Sequence, residues 1–86
     1  MTFKGIIPSQ YVARWTSEDG VKLRIFQYVD VNTWDLVKVF VESKTFDELG
    51  LARIIKQCDG TPYEMTFEQH PVTGREMLIG IRKATT

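Results

Sequence analysis

From Val21 to Val29 the chain carries side chains on both faces of an extended run that each call for cover. The odd positions Val21, Leu23, Ile25 and Val29 are aliphatic, and the even positions Lys22, Arg24, Phe26 and Tyr28 are basic or aromatic. A strand with a core on one side and water on the other alternates apolar with polar residues. The second face here needs a partner: its own chain, a second copy or a ligand.

The flanking segments supply the rest of a sheet. Tyr11 to Thr16 and Val21 to Val29 bracket Ser17-Glu18-Asp19-Gly20, an acidic turn with a glycine that signals a hairpin. Trp34 to Glu42 reads as a third strand on its alternating Val37, Val39 and Val41. A helix is the alternative there, because Asn32 and Asp35 have capping spacing and Trp34, Val37, Phe40 and Val41 share a helical face. The spacing predicts one amphipathic helix from Thr45 to Cys58, opened by a Thr45/Glu48 capping box, striped by Leu51, Ile54, Ile55 and Cys58, and ended at Asp59-Gly60. Tyr63 to Gln69 and Glu76 to Lys83 form a second hairpin. Tyr63, Met65 and Phe67 are expected to share a face with Met77, Ile79 and Ile81, with Glu64 opposite Arg82 and His70 opposite Glu76. The expected fold is a single α+β domain over residues 1–86: an antiparallel sheet of about five strands, a β-meander followed by the helix and a β-hairpin, with the helix packed on the aliphatic face.

Strand pairing through short even turns would gather Tyr11, Trp15, Lys22, Arg24, Phe26, Tyr28, Trp34, Leu36, Lys38 and Phe40 on the second face. Exposed, such a patch exceeds what monomers usually leave open. It is either an inner layer, covered by Phe3, Ile6 and Ile7 or by curling of the sheet into a partial barrel, or a binding surface. Self-association as a homodimer or higher homo-oligomer is the first expectation, since Tyr, Trp, Phe and Arg enrich interface cores. Single-stranded nucleic acid is the alternative, with aromatic rings stacking on bases and Lys or Arg meeting phosphates.

Other chemistry finds little support in the residues. Eleven Lys and Arg balance eleven Asp and Glu, whereas proteins that live by phosphate attraction to duplex DNA usually show a basic excess. His70, at a hairpin tip, and Cys58, on the helix stripe, are each the single residue of their type. They cannot assemble a zinc set, and Cys58 lies at the helix end that does not activate thiolates. Glu64, Glu68 and Glu76 read as a solvated sheet face. No phosphate-binding glycine loop is present. Thr45-Phe46-Asp47-Glu48-Leu49-Gly50-Leu51, followed by Gly60 and Pro62, resembles the adenine-recognition motif of DEAD-box helicases, but the nucleotide-binding loop of that family is missing and a capped amphipathic helix yields the same string. The expectation is a non-catalytic accessory or regulatory interaction domain with no cofactor and no metal. With one cysteine, no signal-like opening and no run of about 20 apolar residues for a membrane helix, a cytoplasmic location is expected.

Overall fold

The computed structural model describes residues 2–72 and 74–84. Its elements are β1 (Thr2–Ile6), β2 (Ala13–Thr16), β3 (Lys22–Asp30), β4 (Leu36–Glu42), α1 (Ser43–Glu48), α2 (Leu51–Gln57), β5 (Pro62–Gln69) and β6 (Glu76–Lys83). The 34–42 segment is thus strand from Leu36 onward, where β-branched valines fit a pleated surface better than a helix.

The antiparallel ladders run in the order β4, β3, β1, β5, β6. β2 takes the half of the β3 edge that β1 leaves, pairing with residues 22–25 while β1 pairs with 29–30. Following the pairings round, β4 and β6 point the same way, and β6 comes to lie beside β4. The sheet therefore curls toward closure, with the two short helices packed against it. The Thr2–Ile6 segment is not a cover for the sheet but its middle strand.

Curling decides which face of β3 is inside. Phe26 and Tyr28 are buried in one cluster with Val39 and Val41 of β4, Tyr63, Met65 and Phe67 of β5 and Leu78 of β6. Across the β3/β4 ladder Phe26 stands opposite Val39 and Tyr28 opposite Val37, so the even residues of β3 share a face with the odd residues of β4. The aromatic face of β3 is the core face. Tyr28 lies against Gly5 of β1, where any Cβ would fall inside the van der Waals shell of the Tyr28 ring and only 2.9 Å from the Val29 carbonyl oxygen. A side chain at position 5 and the inward Tyr28 exclude each other.

The expected single helix is two. Gly50 adopts φ 65° between α1 and α2, a left-handed conformation that glycine tolerates and that ends the first helix. The capping box does not form either: α1 starts at Ser43 behind Glu42, without a side-chain cap. The predicted stripe nonetheless points inward, with Leu51 and Ile55 buried and Phe46 joining them from α1. These side chains meet Val39, Met65 and Phe67 as expected, but Leu23, Ile25 and Ile79 belong to the other face. At Ile79 the cause is a bulge, since Thr66 pairs with Gly80 and Phe67 with Leu78, leaving Ile79 as the extra residue. The shift turns Leu78 inward and leaves Ile79 exposed. Before the bulge Glu64 faces Arg82 as expected, 2.7 Å from its guanidinium; after it, Gln69 rather than His70 faces Glu76.

Gly5→Ala is expected to cost about 1 to 3 kcal/mol through overpacking against Tyr28. Gly80→Ala, whose Cβ would meet nothing closer than Thr66 Cβ at 3.9 Å, should cost far less. Ile55→Ala should lose about 2 to 5 kcal/mol through transfer and cavity terms. Urea melts of the three variants check these values, and similar midpoints for Gly5→Ala and Gly80→Ala would contradict the close approach.

Candidate functional site

The ten residues expected on one face are divided by the structure among four places. Phe26 and Tyr28 are core. Trp15, Leu36, Lys38 and Phe40 lie on the outward face of β2 and β4, where Trp15 stands opposite Leu23, and Phe40 opposite Ile25. Lys22 and Arg24 remain on the inner face of β3, but at the end where the β2–β3 hairpin projects past the core. Tyr11 and Trp34 lie in connecting segments, each 72% exposed.

The cause is loop parity. Thr16 pairs with Lys22, so five residues, 17–21, join β2 to β3 in place of an even turn. Ser17 and Gly20 close this loop, with the Gly20 amide donating to the Ser17 carbonyl at 2.9 Å and Gly20 at φ 85°. An odd loop sets odd residues opposite odd ones and moves every β2 side chain to the other face.

On the outward face the hairpin tip between β5 and β6 folds over the β2–β3–β4 ladder. The guanidinium of Arg75 lies 4.9 Å from the Trp15 ring centre and 4.5 Å from that of Phe40, a cation between two aromatic rings. His70 Nε2 meets Glu42 Oε1 at 2.9 Å, and its Nδ1 accepts the Val72 amide. His70 does acquire a carboxylate neighbour, but from β4, because the bulge carries it past Glu76. Leu23 and Met77 are buried beneath this tip. Ile25 and Val29 are half-buried on the same outward surface, and Leu36 is 57% exposed.

Trp34 is the least expected feature. It sits at φ 61° in the turn that joins β3 to β4, with its amide donating to the Asp30 carbonyl at 2.7 Å. The buried Asp30 carboxylate organises this turn by accepting the amides of Asn32 and Thr33. A bulky residue in the left-handed region costs roughly 1 to 3 kcal/mol, and such strain concentrates at functional sites. Trp34 gains no burial in exchange. Sequence reasoning placed Trp34 in the patch but had no signal for its backbone, and it missed Arg75 altogether because no local pattern links residue 75 to Trp15.

The shifted titrating groups are scattered. Burial, assisted by Asp30 and Glu76, raises Tyr28 above its usual value of 10.0, and burial likewise raises Tyr63. Hydrogen bonds from Ser17 and Thr61 lower Asp19 and Asp59, both in turns. Among the described residues no three His, Cys, Asp or Glu side chains converge as metal ligands. Cys58 stands at the end of α2, with its thiol 3.5 Å from the Ile7 carbonyl.

Comparison with protein-family models, with curated proteins and with solved structures finds no match to this chain.

Asparagine accepts the left-handed region better than tryptophan. Trp34→Asn is therefore expected to raise stability by about 1 kcal/mol by relieving strain at no cost in packing. A urea midpoint at or below that of the wild type would mean that Trp34 holds the turn together rather than being held by it.

Proposed function

We propose that the protein binds single-stranded nucleic acid along the outward face of β3 and β4. The observation that carries this reading is Trp34, an exposed indole kept in a strained backbone in the turn at one end of the β3/β4 ladder, with Trp15, Phe40 and Arg75 gathered toward the other end. From Leu36 to Phe40 the strand rises about 13 Å, room for a few nucleotides. Lys38 stands between them on the same strand. Aromatic platforms interleaved with cations suit a single strand, since every base offers a π-face and every linkage a charge. Trp15 and Phe40 already hold Arg75 between them, so the cation and its rings are prearranged, while the Trp34 ring stands 72% exposed.

The architecture supports the same surface. Leaving β2 aside, five strands are ordered first, second, third, fifth, fourth around the curl, with the helices between the third and fourth. This is the connectivity of the OB-fold, a partly open barrel that binds oligonucleotides and oligosaccharides on its second and third strands and on the loops after the first and before the fifth. Here those strands are β3 and β4, and those loops carry Trp15 and Arg75. The analogy is one of connectivity alone. The basic company of the rings favours a phosphate-bearing strand over a sugar.

A second reading keeps the outward aliphatic residues Ile25, Val29 and Leu36 for self-association, as a non-catalytic interaction domain would use them. An apolar dimer is insensitive to salt, while strand binding weakens steeply with it. Titrating oligothymidylate into the protein is expected to quench tryptophan fluorescence saturably, with affinity falling as salt rises. Trp34→Asn should weaken binding by about 1 to 3 kcal/mol, the worth of one stacked base. Absence of quenching at low salt, together with a concentration-dependent mass in light scattering, would favour the dimer instead.

A further inference from the structure

Arg14 and Arg24 stand directly opposite each other across the β2/β3 ladder, on the reverse side of the hairpin from Trp15. Like charges at opposed positions of a sheet repel. Among the described residues neither arginine has a carboxylate partner. Arg24 is nevertheless fixed: its Nε donates to the Ser43 hydroxyl at 3.3 Å and its guanidinium lies 5.5 Å from the centre of the Phe46 ring.

The surroundings repeat the theme. Two adjoining depressions share both arginines, one of about 410 Å3 extending to Lys56 at the end of α2 and one of about 440 Å3 extending to Lys22 and Ser43. No acidic residue lines either depression, although the chain holds as many acids as bases. Charge is balanced over the molecule and unbalanced here.

We propose that the Arg14–Arg24 rung is a phosphate-binding site, filled by phosphodiester groups of the bound strand as it passes over the hairpin edge. A phosphate set between the two guanidinium groups turns their repulsion into two charge-assisted contacts, and arginine's fixed fork suits phosphate oxygens better than a lysine does. The Ser43 hydroxyl and Lys22 lie close enough to the rung to complete the cradle. Stacking on Phe46 prearranges Arg24, so little side-chain freedom is lost on binding. This inference deepens the reading above, since the same strand would reach both sides of the hairpin.

The test compares wild type, Arg14→Gln and Arg24→Gln against two probes, oligothymidylate and inorganic tripolyphosphate. For the oligonucleotide, the slope of log affinity against log salt should fall by about 0.7 for each phosphate contact removed. Quenching at saturation should persist, because Trp15 and Trp34 are untouched. An unchanged slope in both variants, with the oligonucleotide still bound, would overturn the arginine site and leave the proposed function standing. Tripolyphosphate bound by the wild type and lost in both variants, with no oligonucleotide binding, would uphold the phosphate site and reject nucleic acid as its source. Arg14→Gln is the safer variant, since Arg14 is exposed on the short strand β2; should Arg24→Gln unfold, the slope for Arg14→Gln alone decides the matter.

Discussion

The ring of Tyr28 resting on the bare backbone of Gly5 is the contact on which the rest of the structure depends. β1 meets β3 over only two residue pairs, Gly5 with Asp30 and Ile6 with Val29, and this short crossing lets β1 bridge β3 and β5. A side chain at position 5 would push Tyr28 out of the interior, and with it the choice of which face of β3 is buried. Tyr28 also stacks on Phe67 of β5, with ring centres 6.3 Å apart, so one side chain ties three strands together. Burial, with Asp30 and Glu76 nearby, raises the pKa of its hydroxyl above the ordinary value.

Everything outside follows from that choice. With the even residues of β3 turned inward, Leu23, Ile25 and Val29 face out, and the β4 residues beside them are Leu36, Lys38, Phe40 and Glu42. An odd loop then puts Trp15 on the same outward side, where the β5–β6 tip can lay Arg75 between two rings. Toward the β2 end of β3 the even residues are the basic ones, Lys22 exposed and Arg24 held by Ser43 and the Phe46 ring. The β2–β3 hairpin thus carries Trp15 on one side and the Arg14–Arg24 rung on the other, and the proposed strand would draw on both.

Much of the fold was legible in the sequence because it rests on local chemistry. Both hairpins, the inward Tyr63, Met65 and Phe67, the Leu51 and Ile55 stripe and the Glu64–Arg82 pair follow from alternation, spacing and charge. What escaped depends on single residues with long-range effects. Gly50 breaks a helix that periodicity runs straight through, and one extra residue at Ile79 reverses the expected faces of Glu76 to Leu78 while Ile81 stays inward. A loop of five rather than four residues moves Trp15 across the sheet. β1 was missed as a strand because Thr2–Ile6 is short and contains Gly5, a weak strand former whose value lies in the contact it permits. The candidate site was legible as a composition, aromatic with basic, while its geometry was set by these parity effects.

The most direct test of the account is amide shift mapping by NMR as a short oligothymidylate is added to the labelled protein. The proposed surface predicts that the largest shifts fall on residues 13–16, 22–25 and 34–40 and on Arg75, and that α2 residues away from Lys56 and the outer side of β5 stay still. Shifts centred on β5 and α2, or a spectrum unchanged by saturating oligonucleotide at low salt, would contradict it.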